Sequence, residues 1–137
     1  MSTPPPLTKK YYHGSSRKGI KTLRPRYDPR TKIKGVFLSE HAFAPMIFAL
    51  LKNRAKANIH YTTHKGTFVF GRVISPTPLL EHGYLYTVDI LPSSLRKTKH
   101  SGEYYLKKSI PVSTCKKITK KQVLIFGWKI IIKKSSH

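Results

Sequence analysis

A chain of 137 residues, 39% apolar and 11% aromatic, has room for one packed core, and that composition excludes an intrinsically disordered protein. Twenty-seven Lys and Arg against five Asp and Glu give a formal charge of +22, with a pI near 10.4. Such a surface repels itself and attracts polyanions, so nucleic acid is the first expected partner, an anionic membrane surface the second, and a phosphate-bearing substrate suits either. The single cysteine, Cys115, excludes an internal disulfide and a cysteine-based zinc site. No apolar run approaches the roughly 20 residues of a membrane span, and Met1 to Leu7 lacks the apolar centre of a signal peptide. The expectation is a soluble, intracellular protein, cytoplasmic or nuclear.

Residues 1–8 are rich in Ser, Thr and Pro and read as a flexible tail before a single domain over 9–134. Lys9 to His13 predicts a first strand that Gly14 breaks, leaving the imidazole at a strand end beside Ser15 and Ser16. Ser15 and Ser16 cap a turn, and Ile20 and Leu23 tuck an apolar edge beneath it. Arg24 to Lys34 is basic and proline-broken, with Asp28 its one acid, and reads as an exposed loop. Gly35 to Leu38 is a short buried strand. Ser39 then caps a helix in which Ala42, Phe43, Met46, Ile47, Leu50 and Leu51 recur at steps that place them on one face. Pro45 lies in its early turns, and the helix ends in the basic stretch Lys52 to Lys56.

Ile59 to Tyr61 and Thr67 to Val73 predict a hairpin turned at Lys65-Gly66, and residues 83–91 a further strand closed by Pro92. The basic segment Pro92 to Ser101 reads as a loop long enough to carry function, leading into a strand at Glu103 to Leu106. Thr119 and Gln122 have capping-box spacing, Gly127 stops the short helix they start, and Trp128 to Ile132 closes as a strand. The class is α+β.

Three stretches carry chemistry together. Tyr12-His13-Gly14-Ser15 resembles the His-Gly-Ser/Thr strand of the ADP-ribosyltransferase fold, in its poly(ADP-ribose) polymerase and diphtheria-toxin-like branch. Gly35-Val36-Phe37-Leu38-Ser39 with the helix through Pro45 and Phe48 is similar to that family's second motif. Gly102-Glu103-Tyr104-Tyr105-Leu106 with Ile110-Pro111-Val112 looks like the third, which delivers a catalytic glutamate. The match spans most of residues 10–112 in the right order, and the length suits small relatives such as the rifampin ADP-ribosyltransferases and tRNA 2′-phosphotransferases.

The resemblance implies two small, mostly antiparallel sheets with one main helix and one or two short ones, and NAD as co-substrate. It implies that His13 bonds the adenosine ribose, that the Gly14 backbone holds the nicotinamide carboxamide, and that Ser15 bonds the nicotinamide ribose. Phe37 and Phe48 would sandwich the nicotinamide ring, and Glu103 would bond the ribose 2′-hydroxyl and steady the cationic sugar. Phe37 stands where many members carry tyrosine, which keeps a stacking face, counts against polymer formation, and stays compatible with a hydrolysing or single-transfer enzyme or a binding-only relative. The residue types suit that chemistry independently. A fixed carboxylate stabilises an oxocarbenium-like sugar, aromatic faces attract a flat cation, and Arg17, Lys18 and Lys21 supply charge for a pyrophosphate.

Other readings use the same residues. Glu81 is a second acid but lies in a loop without matching context. His60 and His64 lie at opposite ends of the predicted hairpin, without a cysteine or carboxylate cluster, which makes a metal site improbable. Cys115, beside Lys116 and Lys117, lacks a His–acid partner. The alternative functions are RNA 2′-phosphotransfer on the same fold, against which Tyr12 rather than arginine precedes His13, and a non-catalytic basic module that binds nucleic acid or another polyanion.

Overall fold

The computed structural model describes residues 7–52, 54–100 and 102–133. Twelve strands and two short helices follow one another as β1 (Lys9–Ser15), β2 (Thr22–Leu23), β3 (Arg26–Asp28), β4 (Ile33–Ser39), α1 (Phe43–Phe48), β5 (Asn58–His64), β6 (Thr67–Ser75), β7 (His82–Ile90), β8 (Arg96–Lys97), β9 (Glu103–Leu106), β10 (Ile110–Pro111), β11 (Thr114–Thr119), α2 (Lys120–Phe126) and β12 (Trp128–Ile132). Antiparallel pairing orders the main sheet β11-β7-β1-β4-β9-β8, and β3 adds a seventh strand against β4. A three-stranded sheet, β12-β6-β5, and a two-stranded one, β10-β2, complete a mostly-β α+β fold. One large sheet with two satellites thus replaces the two small sheets expected. No described helix is long and apolar enough to cross a membrane.

The main sheet has two clothed faces. On one, Tyr11, Val36, Leu38, Val88, Ile90 and Leu106 are buried with Leu23 and Ile110 of the small β10-β2 ribbon. On the other, α1 and the turn after it bury Ile47, Leu50 and Leu51 against Leu85, Val73, Ile118, Val123 and Trp128. The Trp128 indole donates to the Phe43 carbonyl at 3.1 Å, so the one buried polar atom of that ring is satisfied. An aromatic group of Phe43, Tyr61, Phe68 and Trp128, with centroid spacings of 5.0 to 6.3 Å, fastens the three-stranded sheet to α1.

Helix α1 is six residues long, shorter than the apolar periodicity predicts. Leu50 and Leu51 are buried as expected, but the Leu50 carbonyl accepts from the Leu80 amide at 2.9 Å, and that tertiary bond draws the chain out of the helix. Nor does Ser39 cap it. The Ser39 hydroxyl accepts from the His41 amide, and Ala42 occupies the cap position without a side-chain bond.

The helix backbone lies directly on glycines. A Cβ on Gly14 would come within 1.9 Å of the Pro45 carbonyl oxygen, and one on Gly83 within 2.0 Å of the Ala49 oxygen. Gly14 therefore continues β1 through Ser15 instead of breaking it, and its lack of a side chain is a packing requirement.

Two segments expected to be loops pair instead. Arg26–Asp28 forms β3 because the Asp28 carboxylate accepts from the Arg30 amide, the Arg30 guanidinium and the Thr31 hydroxyl, which closes the turn into β4. In the basic segment after Pro92, Arg96 and Lys97 pair with Tyr105 and Tyr104 of β9. Strand β11, unannounced by an apolar run, adds an edge beside β7 through alternation that buries only Ile118. The capping box at Thr119, the stop at Gly127 and the Lys65-Gly66 turn form as the residues predict.

Gly14→Ala is expected to reduce unfolding free energy by about 3 kcal/mol, because backbone rather than a flexible side chain must give way. Gly66→Ala, in an open turn at φ 78°, should lose only about 1–2 kcal/mol. Urea midpoints of both variants check this, and equal losses would mean that α1 does not rest on β1.

Candidate functional site

Strand β4 pairs with β3 over its first half, Ile33 to Gly35, and with Tyr12 of β1 at its last residue, Ser39. Strand β1 meets β4 at that one position while pairing with β7 along its whole length, so a split opens between β1 and β4 beside His13. His13 Nδ1 lies 2.9 Å from the Phe37 carbonyl oxygen. A carbonyl only accepts, so Nδ1 carries the proton and Nε2 presents its lone pair. Burial pushes the ring's pKa from 6.5 to about 4; the Phe37 bond opposes that shift, and Arg54 and Arg26 add to it. The imidazole is neutral at physiological pH, a hydrogen-bond acceptor at Nε2.

On the other side of β4, Ser39 is opposite Glu103 and Phe37 is opposite Tyr105. Tyr12, Ser39 and Glu103 thus form one row across three adjacent strands, about 10 Å from end to end. The Glu103 side chain retains 15% of its exposure. It accepts from the Thr98 hydroxyl at 3.1 Å, and its other oxygen is 3.7 Å from the Arg30 guanidinium. Arg30 is in turn 3.4 Å from Asp28. Burial pushes the Asp28 carboxyl up, but its bonds and charge attraction to Arg30 and Thr31 outweigh this and hold it below the ordinary value.

Phe48, at the end of α1, carries the Arg54 guanidinium 4.5 Å from its ring centre and the Arg30 guanidinium at 5.8 Å. Arg54 lies within electrostatic range of both His13 and Glu103. In Tyr61 of β5, burial, then the charge of Glu103, raises the phenol's pKa.

Of the residues expected to meet, Phe48 and Glu103 share the Arg30 guanidinium, and His13 meets Phe37 at its carbonyl. Phe37 contributes its carbonyl to His13, while its ring leans on Tyr105 at 6.2 Å rather than facing Phe48. The Phe48 ring is occupied by Arg54, so a flat ligand stacks there only once that guanidinium has moved. Gly14 has its α carbon turned against α1, leaving only its backbone edge toward the split. Ser15 spends its hydroxyl lone pair on the Arg17 amide at 3.1 Å, and the Tyr86 hydroxyl holds the Arg17 carbonyl, so the Arg17 side chain projects from a pinned but exposed loop.

Of the other candidates, Glu81 is exposed with its carbonyl bonded by Lys120, Cys115 is exposed on β11, and His60 and His64 are exposed on β5. No group of three His, Cys, Asp or Glu able to hold a metal occurs among the described residues. Sequence reasoning missed Arg30, Arg54 and Thr98. Arg30 and Thr98 lay in stretches read as solvated loops and Arg54 in the basic helix end. The one available signal was Asp28, a lone acid in a basic loop and hence a turn organiser. No protein-family model matches the chain, and neither a curated protein nor a solved structure matches it.

The depressed His13 pKa makes a signed prediction. The unfolded ring binds a proton near pH 6.5 and the folded one near 4, so stability is full above about pH 6.5 and falls as pH drops toward 4. The loss should be on the order of 2–3 kcal/mol, and His13→Gln should remove it. Urea unfolding of parent and variant across this window checks the difference; Asp28, whose folded pKa lies below 3.8, adds its own loss only at lower pH.

Proposed function

We propose that the protein cleaves the nicotinamide–ribose bond of NAD and transfers a single ADP-ribosyl group to an acceptor. The observation that carries this reading is that Phe48 and Glu103, far apart in the chain, both meet the Arg30 guanidinium, while Arg54 on the Phe48 ring lies within electrostatic range of His13. Two of the protein's five acids, Asp28 and Glu103, flank Arg30 there.

The chemistry follows from these groups. As the C1′–N bond breaks, its electron pair leaves with nicotinamide, which becomes neutral, and positive charge grows on the ribose. Glu103, fixed by Thr98 and Arg30, supplies a negative field that needs no rearrangement during the step. The acceptor's lone pair then closes on C1′ and its proton leaves to water. His13 Nε2 accepts a ribose hydroxyl. Phe48 already binds a planar cation in Arg54, and cationic nicotinamide takes that place by the same cation–π attraction. The displaced guanidinium then faces the pyrophosphate.

Arg54 and Arg30 also favour a second reading, RNA 2′-phosphotransfer on the same site, in which paired guanidiniums grip an RNA phosphate. Product analysis with a 2′-phosphorylated RNA and NAD separates the two.

Glu103→Gln should lower nicotinamide release by on the order of 10²–10³-fold while keeping the side-chain shape. NAD should raise the parent's melting temperature, and His13→Ala should reduce that rise. An unchanged release rate in Glu103→Gln would sink the proposal.

A further inference from the structure

Two depressions of the surface adjoin each other around β4, β8 and β9. One, of about 680 Å³, runs along Arg24, Lys32, Lys34 and Lys107. The other, of about 250 Å³, is bordered by Arg96 and Lys108, and the two meet at Tyr105 and Lys107. Six basic side chains and no acid line this shallow groove. Tyr105 stands at its centre, directly across β8–β9 from Arg96. Its ring is seated over Gly35, where a Cβ would come within 3.3 Å of it. Glu103 is two residues before Tyr105 on β9, and so on the same face about 7 Å away.

We propose that this groove binds single-stranded nucleic acid and presents it as the acceptor beside Glu103. An aromatic ring within a row of cations fits an unpaired strand, whose bases stack while its phosphates track the charge. A duplex offers its phosphates but keeps its bases stacked inside, so Tyr105 discriminates against it. The step from binding to acceptor rests on the transferase reading; the binding itself does not.

The test uses the full chain and fluorescein-labelled 12-nucleotide RNA and DNA strands and their duplexes, followed by anisotropy at several salt concentrations without NAD. Tyr105→Leu should weaken single-strand binding about tenfold, and Tyr105→Phe, which keeps the ring, by less than about twofold. Arg96→Ala combined with Lys107→Ala should flatten the salt dependence by about 1.4 in log–log slope, roughly 0.7 for each lost phosphate contact. Lys116→Ala with Lys117→Ala, on β11 at the opposite edge of the sheet, should do neither. Equal binding by Tyr105→Leu and Tyr105→Phe, or an equal effect of the β11 pair, would overturn the site and leave general polyanion attraction; so would displacement by polyglutamate as effective as by the strand.

The acceptor step is read separately, as a mass gain of one ADP-ribosyl group on RNA or DNA. Strand binding at Tyr105 without Glu103-dependent nicotinamide release means the transferase reading has failed and the acceptor claim with it. Glu103-dependent release that continues while the strand binds elsewhere overturns only the groove.

Discussion

The arrangement depends on an incomplete pairing. Strand β1 follows β7 along its whole length but touches β4 only at Ser39, while β3 pairs with the first half of β4. A backbone carbonyl left between two such partners needs a donor, since a buried unpaired acceptor is destabilising by about 1–3 kcal/mol. His13 supplies it from its side chain and is thereby held neutral, in one tautomer and at one depth. The split that would be a defect in a continuous ladder becomes the place where a polar ring can face a ligand.

Helix α1 decides which part of its own face of the sheet stays open. Resting on Gly14 and Gly83, it covers β1 and β7 and stops short of β4, β9 and β8. Phe37, Glu103 and Tyr105 are consequently left outside the packed layer. Lengthening α1 along its apolar stripe would carry it away from the bond between Leu50 and Leu80 that redirects the chain, and Phe48 and Arg54 would no longer border Glu103.

Charge explains why the site is built of ion pairs in a protein otherwise short of acids. With +22 distributed over one domain, repulsion opposes compaction everywhere, and an acid has most effect where cations must be crowded. Asp28 closes the β3–β4 turn and aims Arg30, and Arg30 meets Glu103. Surface pairs elsewhere, such as Lys9 with Glu40, are exposed and contribute little. The same crowding makes the groove around Tyr105 a field for phosphates, because no acid interrupts it.

Local chemistry was legible wherever a residue's own covalent structure decides the outcome. The capping box at Thr119, the αL turn at Lys65-Gly66, the alternation of 83–91 and the basic surface all follow from short-range sterics, hydrogen bonding or composition. The residue types of the proposed site, an imidazole, aromatic rings and an acid, were legible in the same way. What the linear order could not contain was whose partner each group becomes. Whether Gly14 breaks a strand or floors a helix, whether Arg30 is solvated or holds Glu103, and whether Leu50 continues a helix or yields to Leu80 depend on groups tens of residues away. Those choices belong to the tertiary structure, because a hydrogen bond or a close contact has no energy until packing brings both atoms to the same place.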